Sequence, residues 1–426
     1  MLIRRAQLLD GAVVDIRLGD DTIEEVADSL SPRRSEEVFD AAHGTVIPGL
    51  HDHHLHVYSA AAEQESVHVG PANVADEAGL GQALATAPVD RDGWVRAVAY
   101  HDTVAGPLDR DLLDRLVPDV PVRVQHRSGV LWTLNTAGLR ALGLTDHPDG
   151  RLRSADPTWS EALPRRAIPV AEFSARLAGY GVTGVTDATP DLNTTEPLRG
   201  LRQRAYRLAP GKRILHDDGL DLEALTEWIA DRHRTGAPVA VHCVTAAQLV
   251  VTIAALRAAG SHPGDRIEHA AMVPADCLPD LVALQVTVVT QPNFVAERGE
   301  EYRADVPADE HDQLWRLATL MSAGVPVALS TDAPFGDADP WAAMRAAVHR
   351  RTPGGAILSP VERISGRRAL TLFLGSAENP TRPRRIAVGE PADLCLLAAP
   401  PQRVVDTLDA ELVAATVVGG AVVFAR

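Results

Sequence analysis

The sequence is poor in lysine and in aromatic residues, and it lacks an excess of positive charge. Of its 41 basic residues one is a lysine, Lys212, so the other 40 are arginines. Its 57 acidic residues give a net charge of -16, which offers no general attraction to nucleic acid or to anionic lipid. We therefore expect neither a nucleic-acid partner nor a membrane partner.

Cysteine is also scarce, and long apolar runs are absent. The three cysteines stand far apart without CxxC spacing, which predicts neither a disulfide framework nor a thiolate zinc site. The most apolar run, near residues 249–256, is too short to cross a bilayer, and no apolar segment follows the first basic residues as in a secretion signal. We expect a cytoplasmic protein, and its assembly into a homo-oligomer is left open.

Both ends of the chain are rich in short β-like segments bounded by glycine and proline. These segments are Leu2–Leu9, Ala12–Leu18, Thr22–Val26 and Glu36–Phe39 at the start, and Arg385–Val388, Ala392–Leu397, Leu412–Val418 and Ala421–Ala425 at the end. We predict that residues 1–48 and 380–426 pair into one small β-sandwich domain.

The middle of the chain alternates between strand and helix patterns. The predicted strands are Thr45–Leu50, Val182–Asp187, Ala205–Leu208, Arg213–Leu215, Pro238–His242, Asp265–His269, Val286–Thr290 and Val325–Thr331. The predicted helices are Val170–Gly179, Ala246–Ala259, Pro274–Leu284, Asp312–Ala323 and Pro340–His349. This alternation predicts an α/β fold, and eight strands allow a (β/α)8 barrel over residues 49–379. Residues 60–169 break the rhythm, and we predict that they form a cap inserted over the barrel mouth, with an irregular stretch at 146–168.

A histidine-rich segment, Asp52–His56, follows the first predicted strand. Two histidines at alternate positions of an extended chain point to the same side, so His54 and His56 can both reach one metal ion. A hydrated polar turn gives the same pattern, so this pair alone is a weak signal.

Further metal-ligand residue types recur at the ends of later predicted strands. His242, His269 and Asp332 stand there, and the carboxyl ends of parallel strands converge on one face of a barrel. Imidazole and carboxylate without thiolate suit zinc, and also iron, manganese or cobalt. We therefore predict a divalent-metal centre, with zinc first and with one or two ions left open.

The single lysine is a further candidate ligand. Two metals need a bridging ligand with two oxygens, and a lysine carbamate supplies both. Unlike arginine, a lysine amine can lose its proton and react in this way. Lys212 precedes a predicted strand in the interval between the first and fifth strand ends, where such a ligand is needed.

Several of these segments have the order and spacing of one known family. They are Pro48–His56, the strand-end His242 and His269, Ser330–Pro334 and Gly389–Leu394. Together they resemble the amidohydrolase superfamily of metal-dependent hydrolases. More narrowly, Gln125–Gly129 with Trp132 and Asn135, Arg266–Ala270 and Thr290–Pro292 resemble amidohydrolase family 3, the YtcJ-like branch that includes N-substituted formamide deformylases.

The resemblance implies a distorted (β/α)8 barrel with a small β-sandwich made by both termini. It implies hydrolysis by metal-activated water, with Asp332 as the general base and then the general acid. It also implies a set of metal ligands: His54, His56, Lys212 as an N6-carboxylated lysine, His242, His269 and Asp332.

Hydrolysis of a non-peptide amide or cyclic amide in a small molecule is the leading prediction. Members of the adenosine-deaminase type carry a glutamate three residues after the fifth-strand histidine, and Thr245 stands there, so purine deamination is disfavoured. The alternatives are a lactone or ester hydrolase, an isomerase or decarboxylase on the same scaffold, and a binding protein without activity.

Five residues are predicted to contact the substrate. Arg127 and His126 suit a carboxylate or carbonyl group, Trp132 an apolar wall and Gln291 a hydrogen bond. Arg298 joins them from a predicted loop over residues 297–302.

Overall fold

The structure, a computed structural model, describes residues 1–154, 156–164, 168–190, 192 and 194–426, and it divides the chain into two units. The first unit joins Met1–Val57 to Val170–Arg426, and the second is Tyr58–Pro169. Among the described residues, no helix is both long and apolar enough to span a bilayer.

In the first unit, strands from both ends of the chain lie in one eight-stranded sheet. Its order is Ala421–Ala425, Val413–Val418, Leu394–Leu397, Thr45–Pro48, Leu2–Gln7, Val13–Leu18 and Ile23–Ala27, with Val38–Asp40 also paired to Leu2–Gln7. Buried aliphatic side chains from both ends, such as Ile16 and Val417, pack together in one core cluster. A second layer, which would make this sheet a sandwich, stays a prediction.

One predicted strand at the end of the chain is wrong. Residues 385–388 form no strand, because the backbone groups on either side of them donate hydrogen bonds to different parts of the chain. The Arg384 N–H donates to the Leu374 carbonyl, whereas the Gly389 N–H donates to the Ile23 carbonyl, each at 2.9 Å.

The first unit also contains eight parallel strands in two sheets. The three-stranded sheet has the order Arg204–Arg207, Val182–Asp187 and Leu50–Leu55, and the five-stranded sheet has the order Lys212–Ile214, Ala240–Cys243, Arg266–His269, Thr287–Thr290 and Val327–Leu329. Helices separate most of these strands, although none lies between Arg204–Arg207 and Lys212–Ile214, and this confirms the mixed α/β fold. Closure of the two sheets into one barrel stays a prediction.

The first parallel strand does not lie where the sequence pattern placed it. Thr45–Pro48 belongs to the terminal sheet, and the parallel strand is Leu50–Leu55, which therefore contains part of the histidine segment. The break falls at Gly49, where a Cβ atom would lie 2.1 Å from the Thr183 side chain. Only glycine allows the chain to pass so close to its neighbour as it leaves one sheet for the other.

The helices of the first unit are Val170–Gly179, Leu222–Arg234, Ala246–Ala259, Leu278–Leu284, Asn293–Asp305, Leu317–Ala323, Pro340–His349, Gly366–Thr371 and Pro401–Thr407. Short 3-10 turns occupy Glu196–Leu198, Asp217–Gly219, Ala275–Cys277, Ala308–Gln313, Pro360–Glu362 and Ala410–Leu412. The helix Ala246–Ala259 begins as predicted, because Thr245 and Gln248 form a reciprocal capping box at its start.

The predicted loop over residues 297–302 is wrong, since these residues lie inside the helix Asn293–Asp305. The helix contains a glycine, Gly299. A Cβ atom at that position would lie 2.4 Å from the Thr352 side chain, so the glycine permits close packing of the helix.

The second unit contains a five-stranded sheet and several short helices. The sheet order is Arg151–Arg153, Leu131–Leu134, Val122–His126, Val95–Tyr100 and Val67–His68. The helices are Glu77–Ala85, Asp102–Ala105, Arg110–Leu116, Thr136–Ala141 and Pro157–Ser160, while Val57–Glu63 begins at the unit boundary. The predicted irregular stretch at 146–168 thus contains a strand and a helical turn, and residues 155 and 165–167 of it lie outside the described residues.

Candidate metal centre

Two histidines and an aspartate come together at the carboxyl ends of the parallel strands. His54, His269 and Asp332 are buried, and each offers a ligand atom within 4.8 Å of the others. His54 Nε2 lies 3.4 Å from Asp332 Oδ1, and His269 Nδ1 lies 3.8 Å from Asp332 Oδ2. Three residues that the sequence analysis selected from distant segments thus form one cluster.

Backbone contacts hold this cluster in place. The Asp332 N–H donates to the His54 carbonyl at 2.9 Å, and the His56 N–H donates to the Ala333 carbonyl at 2.7 Å. His269 and Asp332 have left-handed backbone angles, with φ of 70° and 58°. Such angles cost non-glycine residues on the order of 1–3 kcal/mol and concentrate at functional sites.

Two further predicted ligands lie beside the cluster. His56 Nε2 is 3.5 Å from Asp332 Oδ1, and its Nδ1 lies 3.2 Å from the Thr189 hydroxyl. The His242 ring meets the His269 ring edge-on, with 4.5 Å between centroids.

Lys212 is a buried lysine whose amine has a lowered pKa. It is 6% exposed, and its Nζ has no hydrogen-bond partner within the described part of the chain. Burial lowers the pKa of Lys212 to about 8, against the opposing charges of Glu268 and Asp332. A substantial fraction of this amine is therefore neutral in mildly alkaline solution.

The imidazoles of the cluster are held in their neutral form. Burial, together with the nearby charge of Lys212, lowers the pKa of His54 well below its usual range, and burial with the neighbouring histidines does the same for His269. Burial lowers the pKa of His242 to about 3. Neutral rings keep a nitrogen lone pair, which metal coordination requires.

Several buried polar atoms at this position lack partners. Among the described residues, His54 Nε2, Asp332 Oδ1 and Lys212 Nζ form no hydrogen bond. A buried polar atom without a partner costs about 1–3 kcal/mol, and a cation would satisfy the nitrogen and the carboxylate oxygen together. Since imidazole and carboxylate are ordinary ligands of divalent metals, His54, His269 and Asp332 fit such an ion.

Sequence reasoning missed the residues that support the cluster. Glu268 contacts His54 Nδ1 and accepts from Arg266 Nε at 2.7 Å, and all three residues are buried. On the other side, Asp52 accepts from the Thr331 hydroxyl. Burial raises the pKa of Asp52 to about 7, although its hydrogen bonds act in the opposite direction. The alternation Arg-Ile-Glu-His was a signal for Glu268, because residues two apart on a strand share a face.

The predicted substrate-contacting residues fall into two groups. Gln291 and Arg298 belong to the first unit: Gln291 Oε1 lies 2.9 Å from His269 Nδ1, and the Arg298 guanidinium donates to the carbonyl of Phe335. The Phe335 ring in turn stands 5.3 Å from the His56 ring, so both residues connect to the cluster.

The other three residues, His126, Arg127 and Trp132, belong to the second unit. The Trp132 ring is buried against Trp159, with 6.2 Å between centroids, and the Arg96 guanidinium lies 5.2 Å from its centroid. His126 Nδ1 lies 2.8 Å from the Ser128 hydroxyl. Their contact with a substrate stays a prediction.

Two solved structures, both of uncharacterized metal-dependent hydrolases, are similar to this chain in fold. The one from Pyrococcus horikoshii has a TM-score of 0.70 at 18% identity, over 94% of this chain and 97% of that chain. The one from Pyrococcus furiosus has a TM-score of 0.68 at 19% identity, over 94% and 99%.

A model of the amidohydrolase family matches residues 203–424, just over half of the chain. The protein is therefore a hydrolase and belongs to the amidohydrolase family, as the sequence motifs predicted. An N-substituted formamide deformylase from Arthrobacter pascens is 23% identical to it, over 87% of this chain and 84% of the relative.

Proposed function

We propose that this protein is a metal-dependent amidohydrolase that cleaves a non-peptide amide or cyclic amide bond in a small molecule. The observation that carries the proposal is the buried pair His54 Nε2 and Asp332 Oδ1, which lie 3.4 Å apart. Neither atom has a hydrogen-bond partner in the described ranges. The deformylase activity in the name of the Arthrobacter pascens relative also concerns a carbon–nitrogen bond.

We propose zinc as the metal, held by His54, His56, His242, His269 and Asp332, with Lys212 as an N6-carboxylated ligand if two ions bind. A divalent cation supplies Lewis acidity, which polarises a carbonyl group and acidifies water. The depressed pKa of Lys212, at about 8, favours the carbamate, because the neutral amine is the form that adds CO2.

Asp332 is the proton carrier of this proposal. Its two carboxylate oxygens have different surroundings: Oδ1 lies near His54 and His56, and Oδ2 lies near His269. One oxygen can therefore stay beside His54 and His56 while the other takes a proton from the attacking water. Returning that proton to the departing nitrogen makes the amine a neutral leaving group.

The finer architecture belongs to the same proposal. We propose that the eight parallel strands close into a distorted (β/α)8 barrel and that the terminal sheet folds into a sandwich of residues 1–48 and 380–426. We also propose that residues 60–169 form a cap inserted into the barrel. The residues proposed to contact the substrate are His126, Arg127, Trp132, Gln291 and Arg298.

Metal content and substrate turnover test the proposal together. Protein purified without chelator is analysed for metals, and its intact mass is measured in bicarbonate for the addition of one CO2 to Lys212. N-substituted formamides, cyclic amides, lactones and esters are then assayed in water labelled with oxygen-18. We expect bound zinc and label in the carboxylate product of an amide.

Three outcomes would overturn parts of this proposal. Turnover of lactones or esters alone would replace the amide bond by an ester bond. A product without label would indicate an isomerase or a decarboxylase. Protein that binds no divalent metal and turns over no substrate would indicate a binding protein.

A further inference from the structure

A buried carboxylate lies behind one of the proposed metal ligands. Glu268 Oε2 contacts His54 Nδ1, and both side chains are 0% exposed. The two residues stand 214 positions apart and lie in different sheets, His54 on Leu50–Leu55 and Glu268 on Arg266–His269. This contact therefore links the two sets of parallel strands directly at the candidate site.

The contact selects one form of the His54 ring. An ionised carboxylate only accepts hydrogen bonds, so Nδ1 must carry the proton that it donates to Glu268. In the neutral ring Nε2 then keeps its lone pair, and Nε2 is the atom 3.4 Å from Asp332 Oδ1. The ring is thus held with its lone pair directed at the proposed metal site.

Arg266 completes the arrangement. Its Nε donates to Glu268 Oε1 at 2.7 Å, and one terminal nitrogen donates to Oε2 at 3.1 Å, which makes a two-point pair. The same terminal nitrogen donates to the His53 carbonyl at 2.6 Å, next to His54 in the chain. One guanidinium therefore holds the carboxylate behind the ring and the backbone that carries the ring.

We propose that Arg266 and Glu268 are a positioning pair that fixes the tautomer and orientation of His54 and thereby sets the affinity of the site for its metal. The inference rests on the proposed function of the cluster as a metal centre. Carboxylates behind metal-ligating histidines commonly act in this way, and their loss weakens metal binding about 10- to 100-fold.

The same strand offers a matched control. Asp265, at its amino end, is also a buried carboxylate that pairs with a histidine: its Oδ1 lies 3.0 Å from His233 Nε2. Asp265 also accepts from the Val239 N–H at 3.0 Å and the His262 N–H at 2.7 Å. Replacing it disturbs another His–carboxylate pair with a buried carboxylate, but one whose histidine is not among the proposed ligands.

The experiment compares Glu268→Gln with Asp265→Asn, using the full chain loaded with Co²⁺. The affinity for Co²⁺ is measured by competition with a chelator, the visible spectrum reports the ligand geometry, and circular dichroism checks the fold. We expect Glu268→Gln to bind Co²⁺ about 10- to 100-fold more weakly with an altered spectrum, and Asp265→Asn to match the parent protein in both.

A second variant protects the test against misfolding. Arg266→Lys keeps the positive charge but loses the two-point geometry, so it should weaken Co²⁺ binding in the same direction and by less. If Glu268→Gln folds and its Co²⁺ affinity and spectrum are unchanged, the positioning role is overturned and the proposed metal centre is not. If Glu268→Gln does not fold, unchanged affinity and spectrum in Arg266→Lys have the same meaning. A parent protein that binds no Co²⁺ or Zn²⁺ would instead overturn the proposed metal centre, and this inference with it.

Discussion

Each end of the strand Arg266–His269 lies near a histidine–aspartate pair, and the two pairs differ in their hydrogen bonding. At the amino end, both Asp265 oxygens accept hydrogen bonds, from the His233 ring and from two backbone N–H groups. At the carboxyl end, Asp332 Oδ1 and His54 Nε2 lie 3.4 Å apart, and neither has a hydrogen-bond partner in the portion of the chain that the structure describes.

We expect this difference to distinguish a structural pair from a functional one. A buried carboxylate whose oxygens are all bonded is stable without a ligand, whereas an unpartnered one costs free energy that a ligand can offset. Composition alone does not reveal the distinction, because both ends contain a histidine and an aspartate. The hydrogen bonds of each oxygen do reveal it.

Removal of the metal should have the largest effect, and it should act at the carboxyl end of the strand and not at the amino end. Dialysis against a chelator should abolish turnover and lower the melting temperature, because an ion that binds only the folded state stabilises it by about 2.7 kcal/mol at a hundred times its dissociation constant. Adding Zn²⁺ back should restore both. Calorimetry and an activity assay measure these effects, and full activity in the metal-free protein would contradict the prediction.

The variant Asp332→Asn should have the next largest effect. An amide cannot take a proton from water as a carboxylate does, so we expect kcat to fall about 10²- to 10⁴-fold. Metal analysis should still find at least one ion, because the histidines remain. A near-normal kcat in a folded, metal-loaded variant would remove Asp332 from the mechanism.

The variant Asp265→Asn, at the amino end of the strand, should lose stability and keep its activity. It keeps the size of the side chain but replaces one accepting oxygen by an amide donor that faces the Val239 or the His262 N–H. We expect the free energy of unfolding to fall by about 1–3 kcal/mol with kcat unchanged. Urea unfolding and steady-state kinetics measure the two, and a large loss of kcat at unchanged stability would contradict the assignment.

The sequence predicted much of this arrangement, for a physical reason. Strands such as Val182–Asp187 are buried along their whole length, so their apolar pattern is strong and their ends are easy to locate. Proposed metal ligands such as His269 and Asp332 stand just at or beyond such ends. Their convergence follows from the parallel direction of the strands rather than from any detail of packing.

The supporting residues could not be predicted in the same way. Glu268 is next to His269 in the chain, yet its partner His54 is 214 residues away in another sheet. Gln291 was predicted to contact a substrate, and the structure places its side-chain oxygen 2.9 Å from His269 Nδ1. The local pattern of a strand can indicate that Glu268 shares a face with Arg266, but it does not identify the distant side chain that Glu268 meets after folding.

The smallest expected effect concerns an ion pair between Arg17, in the terminal sheet, and Glu36, in the connection that precedes the strand Val38–Asp40. Arg17 donates to Glu36 at 2.8 Å, and this hydrogen bond, with one from the Arg33 N–H, lowers the pKa of Glu36 to about 2. A carboxyl whose pKa is lower in the folded state stabilises the protein above its unfolded pKa. This contribution is lost as the pH falls toward 2.

The variant Glu36→Gln should therefore be less stable than the parent protein at pH 7, and the difference should shrink as the pH falls below about 4.5. Melting temperatures between pH 3 and pH 7 measure this convergence. Because Glu36 lies in the connection before the strand Val38–Asp40 and not among the proposed ligands, Co²⁺ affinity at pH 7 should stay at the parent value. A constant stability difference across this range would show that Glu36 contributes by packing and not by charge, and a loss of Co²⁺ affinity would show that the terminal sheet and the metal centre are coupled.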